Sequence, residues 1–300
     1  MKFFGRRKGR KARPDDVTPL PIQAEAGPFF PALPLAGAGV ARLKDCVVVY
    51  SNFRAGSHLL QSSLTALTSL RDAGEVFARR SHDPLSFNAF LQSCEVDTLP
   101  FLIEPEQQIP GYFRYLFDHL PDDAPMIVSM KYTQAHRLGA DDMTGAPILL
   151  KVLADYRVPV LHLVRRDVVR QAISHLVAAE TESFHIAHAD AADGNRKIWL
   201  DPAEVLALAR TRAEEQRRAR AHLEAVSARH LTMYYEELTP GRLPDELRRA
   251  LRFLDRYGQV PNGFLPETVA MESDRCVANR AEILDHMLAR APDLLHALSG

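Results

Sequence analysis

Three short apolar runs mark the middle of the chain: Cys46–Ser51 (CVVVYS), residues 126–132 (MIVSMKY) and residues 158–164 (VPVLHLV). Continuous apolar runs of this length, rich in β-branched residues, predict strands covered on both faces, as in a parallel sheet. Residues 231–238 (LTMYYEEL) predict a further strand. Between the runs the period lengthens. Leu59, Leu60, Ser63, Leu64, Leu67 and Leu70 recur at helical spacing and predict a helix stopped by Gly74. Val168, Ala172, Leu176 and Ala179 share one face of a helix after the third run. The longest helical signal spans 201–228, with Asp201 as N-cap and Pro202 in the first helical position. Residues 244–258 and 279–291 predict closing helices. Strands alternating with helices predict the α/β class: a three-layer sandwich with a central parallel sheet and right-handed crossovers.

Bulk properties narrow this only slightly. Three hundred residues, 46% apolar, suffice for a full core and exclude a wholly disordered chain. A net charge of −1 favours neither a nucleic-acid binder nor an acidic surface protein. The charge is uneven, however: residues 1–13 carry seven Lys and Arg and no acid, and residues 14–39 are rich in Pro, Gly and Ala. Residues 1–39 therefore read as a basic tail and linker, and 40–300 as the folded domain. The tail is either a solubilising segment or a contact for anionic lipid headgroups or nucleic acid. Lacking an apolar stretch after its basic start, it does not resemble a signal peptide, and no run approaches a membrane span. Cys46, Cys94 and Cys276 are odd in number and far apart, which predicts neither disulfides nor a zinc site and makes a reducing cytoplasm the expected location.

Candidate chemistry lies where the strands meet their helices. After the first run comes SNFRAGSHLL, residues 51–60. Gly56 lets the backbone fold close to a ligand, Ser57 and His58 offer side-chain donors, and Arg54 supplies a planar cationic fork suited to tetrahedral oxyanions. With the N–H groups of a helix start behind them, these residues describe an anion cradle, although a plain strand-to-helix turn with a surface arginine has the same outline. The familiar phosphate loop G-x-x-x-x-G-K-[ST] is not matched, because its first glycine and its lysine are missing. After the third run, RRDVVRQAIS places Arg166 at a strand exit and Ser174 eight residues later. A second cation and hydroxyl at another strand tip suit a second phosphate of the same ligand; a solvated edge and an ordinary helix serine are the plainer alternative.

FRAGSHLL together with RDVVRQAIS resembles the two nucleotide motifs of sulfotransferases that use 3′-phosphoadenosine 5′-phosphosulfate (PAPS). The likeness is closest to bacterial carbohydrate sulfotransferases of the trehalose type. It extends in order over residues 45–285, through QAISHLVAAETESFH and the later YYEEL, with only the two nucleotide motifs specific. Ala55 and His58 depart from the family pattern, each standing where Ser or Thr is customary. The resemblance implies a P-loop-like nucleotide-binding sulfotransferase fold, PAPS as co-substrate, no metal, and a carbohydrate or glycolipid hydroxyl as acceptor, with no nucleic-acid partner. It assigns the 5′-phosphosulfate to Arg54, Ala55, Gly56, Ser57, His58 and Leu59, and the 3′-phosphate to Arg166 and Ser174. Glu75 matches the family's general base, though its loop lacks the customary proline and an exposed loop glutamate is the plain reading. Lys131 resembles the lysine of a K-T-H stretch whose histidine is here Gln134, and is a third catalytic candidate, with a buried strand-end lysine in a structural ion pair as the plain alternative.

Weaker signals remain. His185, His188 and Asp190 lack a convincing further ligand and read as surface residues. Arg275 and Asn279 are candidates to cap the nucleotide, with a helix N-cap as the alternative for Asn279. The aromatic run GYFRYLF, 111–117, lines either an acceptor pocket or the core. Arginines 210–220 read as a solvated helix face paired with Glu214 and Glu215. Two other functions share the fold: a nucleotide-dependent kinase, which requires a magnesium site, and a non-catalytic protein held at a membrane by its tail.

Overall fold

A computed structural model describes residues 42–78, 84–93, 105–120, 124–141, 143–181, 197–256, 260–261, 264 and 276–296. The tail and linker of residues 1–39, Cys94, the His185–His188–Asp190 group and Arg275 lie outside the described residues. Five strands form one all-parallel sheet: β1 (Cys46–Ser51), β2 (Arg71–Asp72), β3 (Met126–Lys131), β4 (Val160–Val164) and β5 (His230–Tyr234). Their order is β2-β3-β1-β4-β5. The helices are α1 (Ser57–Leu67), α2 (Phe87–Ser93), α3 (Pro105–His119), α4 (Tyr132–Ala135), α5 (Ile148–Asp155), α6 (Val168–Thr181), α7 (Pro202–Ala225), α8 (Leu243–Phe253), α9 (Arg280–Arg290) and α10 (Pro292–His296).

The apolar runs form strands because both faces of the sheet are covered. Val47, Val49, Ile127, Leu161, Leu163 and Met233 pack with α1 and α8 on one side. Cys46, Val48, Tyr50, Met126, Val128, Met130 and Val160 pack on the other with α3, α5 and the end of α7, where Ala219 and Leu223 lie. Tyr112, Phe113, Leu116 and Phe117 belong to this second layer, so the 111–117 aromatics build core. A third cluster joins α6, the first half of α7 and α9. Asp201 caps α7 by accepting from the Ala203 N–H at 2.8 Å, with Pro202 opening the helix.

Two boundaries and one helix face differ from the periodicity. α1 stops at Leu67, short of Gly74, because the Thr68 hydroxyl donates to the Leu64 carbonyl at 2.7 Å and accepts the Leu70 N–H at 3.2 Å. Leu70 is buried after the chain has left the helix, and the next two residues become edge strand β2. On α6 the buried face runs through Val168, Val169, Ala172, Ile173, Val177 and Ala178, leaving Ala179 exposed. β5 ends at Tyr234, and Tyr235–Glu237 turn away as a single 3₁₀ turn.

Register aligns the strand exits. Ser51 lies opposite both Lys131 on β3 and Leu163 on β4, and Val164 lies opposite Tyr234 on β5. The residues that follow β1, β4 and β5 therefore emerge side by side with Lys131. Leu64, fully buried between α1 and the sheet, anchors the helix behind the first of these exits. Leu64→Ala is expected to lower unfolding free energy by about 2–5 kcal/mol, measured by urea denaturation.

Candidate functional site

The strand order creates a crevice. The chain leaves β1 toward β2 on one flank and leaves β4 toward β5 on the other, so the loops after these adjacent strands diverge at their carboxyl ends. Ligands of open α/β sheets gather at such a point.

The loop after β1 is held in a backbone shape that few residues adopt. Arg54 has φ +60° and Gly56 φ +88°. A left-handed arginine persists only where its surroundings over-determine it. Here the Asn52 side chain accepts the Phe53 N–H at 2.8 Å, and Gln171 donates to the Phe53 carbonyl at 2.7 Å. Arg165 donates to the Arg54 carbonyl at 3.1 Å. The Arg54 side chain is thereby sent toward α6, where its Nε donates to Ser174 Oγ at 3.0 Å. The two sequence motifs thus meet directly through Arg54 and Ser174.

Gly56 has a second reason to be glycine. A Cβ there would stand 2.5 Å from Cδ2 of Tyr235, so its side-chain position is taken by that ring, a protein group rather than the ligand the sequence suggests. The glycine caps α1, whose first N–H groups have no partner within the helix. Ala55 and Leu59 direct their side chains into the core and can offer a ligand only backbone. His58 is exposed at the helix start.

Lys131 joins this cradle from β3. Its buried ammonium donates to Ser57 Oγ at 2.6 Å and Ser129 Oγ at 3.1 Å, and pairs with Glu75 at 3.0 Å. Burial pushes the ammonium below its ordinary pKa, Glu75 pulls it back up, and Arg54 adds to the depression. Glu75 is 36% exposed, so the pair has one dry end and one wet end. Gln134 accepts the Lys131 backbone N–H at 2.9 Å and reaches Glu75 at 3.5 Å.

At the β4 exit two arginines diverge. Arg165 turns toward the β1 loop and lies over the Tyr235 ring at 4.5 Å. Arg166 lies over Tyr234 at 3.7 Å and pairs with Glu237 at 3.0 Å. Glu236 accepts the N–H groups of Arg166 and Asp167 at 3.2 and 3.0 Å. Four consecutive residues, Tyr234 to Glu237, thus grip the β4 exit. Arg166 turns to Tyr234 and Glu237, and Arg165, read from the sequence as part of a solvated edge, is the β4 cation that touches the β1 loop.

Other contributors were also hidden. Arg212, expected on a solvated helix face, is buried, donating to Asn52 Oδ1 at 2.9 Å and Glu215 at 2.7 Å. Glu215 in turn accepts from Asn52 at 2.6 Å, so α7 braces the β1 exit. The other arginines of that stretch follow expectation more closely: Arg217 and Arg218 pair with Glu214, and Arg220 with Glu224. Asn279 holds the backbone of Leu200 through both amide atoms and makes no side-chain cap bond to α9.

The electrostatics are those of an anion site. Arg54 is pushed below its ordinary pKa by burial and by Arg165, with Tyr235 opposing, yet a guanidinium stays charged at any physiological pH. Burial, with Arg212 and Arg54 nearby, pushes His175 down to about 4 and keeps it neutral. Among the described residues no group of three or more His, Cys, Asp or Glu could hold a metal ion, and no helix is long and apolar enough to cross a membrane. No family model matches the chain, and no curated protein matches it.

Two outcomes follow from this geometry. Gly56→Ala must force a left-handed alanine against Tyr235 and is expected to lose at least about 1 kcal/mol, read as a drop in Tm. For Lys131, the unfolded chain titrates near 10.5 and the folded chain lower, so the unfolded state holds more protons between the two values. The burial cost is present in full below the folded pKa and relieved as pH rises toward 10.5. Lys131→Met is therefore expected to be more stable than wild type at pH 7, with the gain shrinking at alkaline pH in a series of urea melts.

Proposed function

We propose that the protein is a sulfotransferase that moves a sulfuryl group from PAPS to a hydroxyl of a carbohydrate or glycolipid. The observation that carries this reading is a set of contacts spanning four strand exits: Glu75 to Lys131 to Ser57, and Arg54 to Ser174 beside Arg165. Cations, hydroxyls and the α1 N–H groups suit anionic oxygens, and a buried lysine entering from β3 compensates for the lysine missing from the loop. The β1-centred strand order with its cradle at the β1 exit supports the P-loop-like form of the fold.

In this reading the 5′-phosphosulfate lies against Gly56–Leu59 and Arg54, while Arg166 and Ser174 serve the 3′-phosphate. The acceptor oxygen attacks sulfur, the bond from sulfur to the bridging oxygen breaks, and adenosine 3′,5′-bisphosphate leaves. Negative charge grows on the bridging oxygen, where Lys131 and Arg54 oppose it. Glu75 takes the acceptor proton, its carboxylate positioned by the Lys131 ammonium 3.0 Å away. Two carboxylate oxygens allow one to face Lys131 and the other the acceptor.

Transfer of sulfur-35 from labelled PAPS into a carbohydrate or glycolipid extract tests the activity, and binding of PAPS against magnesium-ATP separates it from a kinase. Glu75→Gln is expected to keep nucleotide affinity and lose about 100-fold or more in turnover. Arg166→Ala is expected to weaken bisphosphate binding about tenfold or more, by titration calorimetry. Normal turnover in Glu75→Gln removes the assigned base. Tighter binding of magnesium-ATP than of PAPS sinks the sulfotransferase itself.

A further inference from the structure

Arg166 meets an anion of the protein's own. Its guanidinium is fixed three ways: the backbone at its base is pinned by Glu236, its face is stacked on Tyr234, and one edge is paired with Glu237 at 3.0 Å. Only the last of these places a carboxylate on the guanidinium itself, where a phosphate would compete with it. Glu237 is 18% exposed and Arg166 34%, so their pairing is partly shielded from water and salt while a face of the arginine remains open.

We propose that Glu237 is a specificity-determining counter-anion, which occupies the Arg166 guanidinium and sets how strongly the site prefers nucleotides bearing a 3′-phosphate. The inference rests on the assignment of Arg166 to that phosphate. Two consequences oppose each other. Without ligand the carboxylate offsets positive charge at an exit that already holds Arg165. With ligand it lies close to a second negative group, and like charges at that distance weaken binding. Removing the charge while keeping an acceptor should leave Arg166 oriented, since the Tyr234 stack and the Glu236 grip on the backbone do not involve residue 237.

The test is calorimetric titration of the full chain with adenosine 3′,5′-bisphosphate and with adenosine 5′-phosphate. Glu237→Gln is expected to bind the bisphosphate about three- to fivefold tighter, the scale of a partly exposed ion pair, and the monophosphate with less than a twofold change. Equal gains for both nucleotides, no gain, or a loss confined to the bisphosphate overturns the proposal. Should Glu237→Gln not fold, Glu237→Asp decides, because its shorter arm keeps the charge but withdraws it from Arg166: a smaller gain for the bisphosphate alone upholds the proposal, and unchanged preference overturns it. The underlying assignment fails separately, and takes the proposal with it, if wild type binds the two nucleotides equally well or binds neither.

Discussion

Crowding of positive charge at the carboxyl edge of one parallel sheet is the constraint around which this protein is arranged. Arg54, Lys131, Arg165 and Arg166 all leave strands whose ends are in register, and each charge is costly to withdraw from water unless it finds a partner. The fold meets that cost with groups from elsewhere in the chain. Glu75 comes from the edge of the sheet, Glu237 from the turn after β5, and Tyr234 and Tyr235 present ring faces to the two adjacent arginines. Rings of this kind attract cations without neutralising them, so the site keeps its field.

The segment Tyr234–Glu237 works as a bracket. Its four side chains address, in turn, the Arg166 face, the Arg165 face with Gly56, the backbone N–H pair and the Arg166 edge. Since Arg165 also holds the Arg54 carbonyl, the left-handed turn of the β1 loop depends on β5, two strands away in the sheet. A set of charges locked in this way keeps its positive field in a fixed place, at the expense of stability that a neutral edge would not forfeit.

How much of this was legible in the chain varies with the physics involved. Strands β1, β3 and β4 were visible because two covered faces demand uninterrupted apolar residues. Edge strand β2 was invisible: Arg71 and Asp72 are exposed and carry no pattern. Arg54 and Ser57 were legible as polar groups at a strand-to-helix corner and Ser174 as a hydroxyl on the helix after the third apolar run, whereas Lys131 and Glu75 stood out through a resemblance in motif. Their grouping was legible only in part. The Arg54–Ser174 bond joins residues 120 positions apart and the Lys131–Ser57 bond 74 apart, distances over which local periodicity is silent. Arg212 was misjudged for the same reason, since Arg217, Arg218 and Arg220 on α7 are solvated while its partner Asn52 and the Phe53 ring belong to the distant loop after β1.

By itself the sequence determined the class of fold and the chemical character of the strand exits, because burial on both faces and the conformational demands of a tight turn are local properties that residue types express directly. Tertiary structure alone decided which cation faces which partner: that Tyr235 fills the space beside Gly56, that Arg165 rather than Arg166 supports the β1 loop, and that Glu237 stands against the remaining guanidinium. Those choices depend on strand order and register, which bring β5 beside β4 and β4 beside β1, and no stretch of chain encodes them until the sheet has formed.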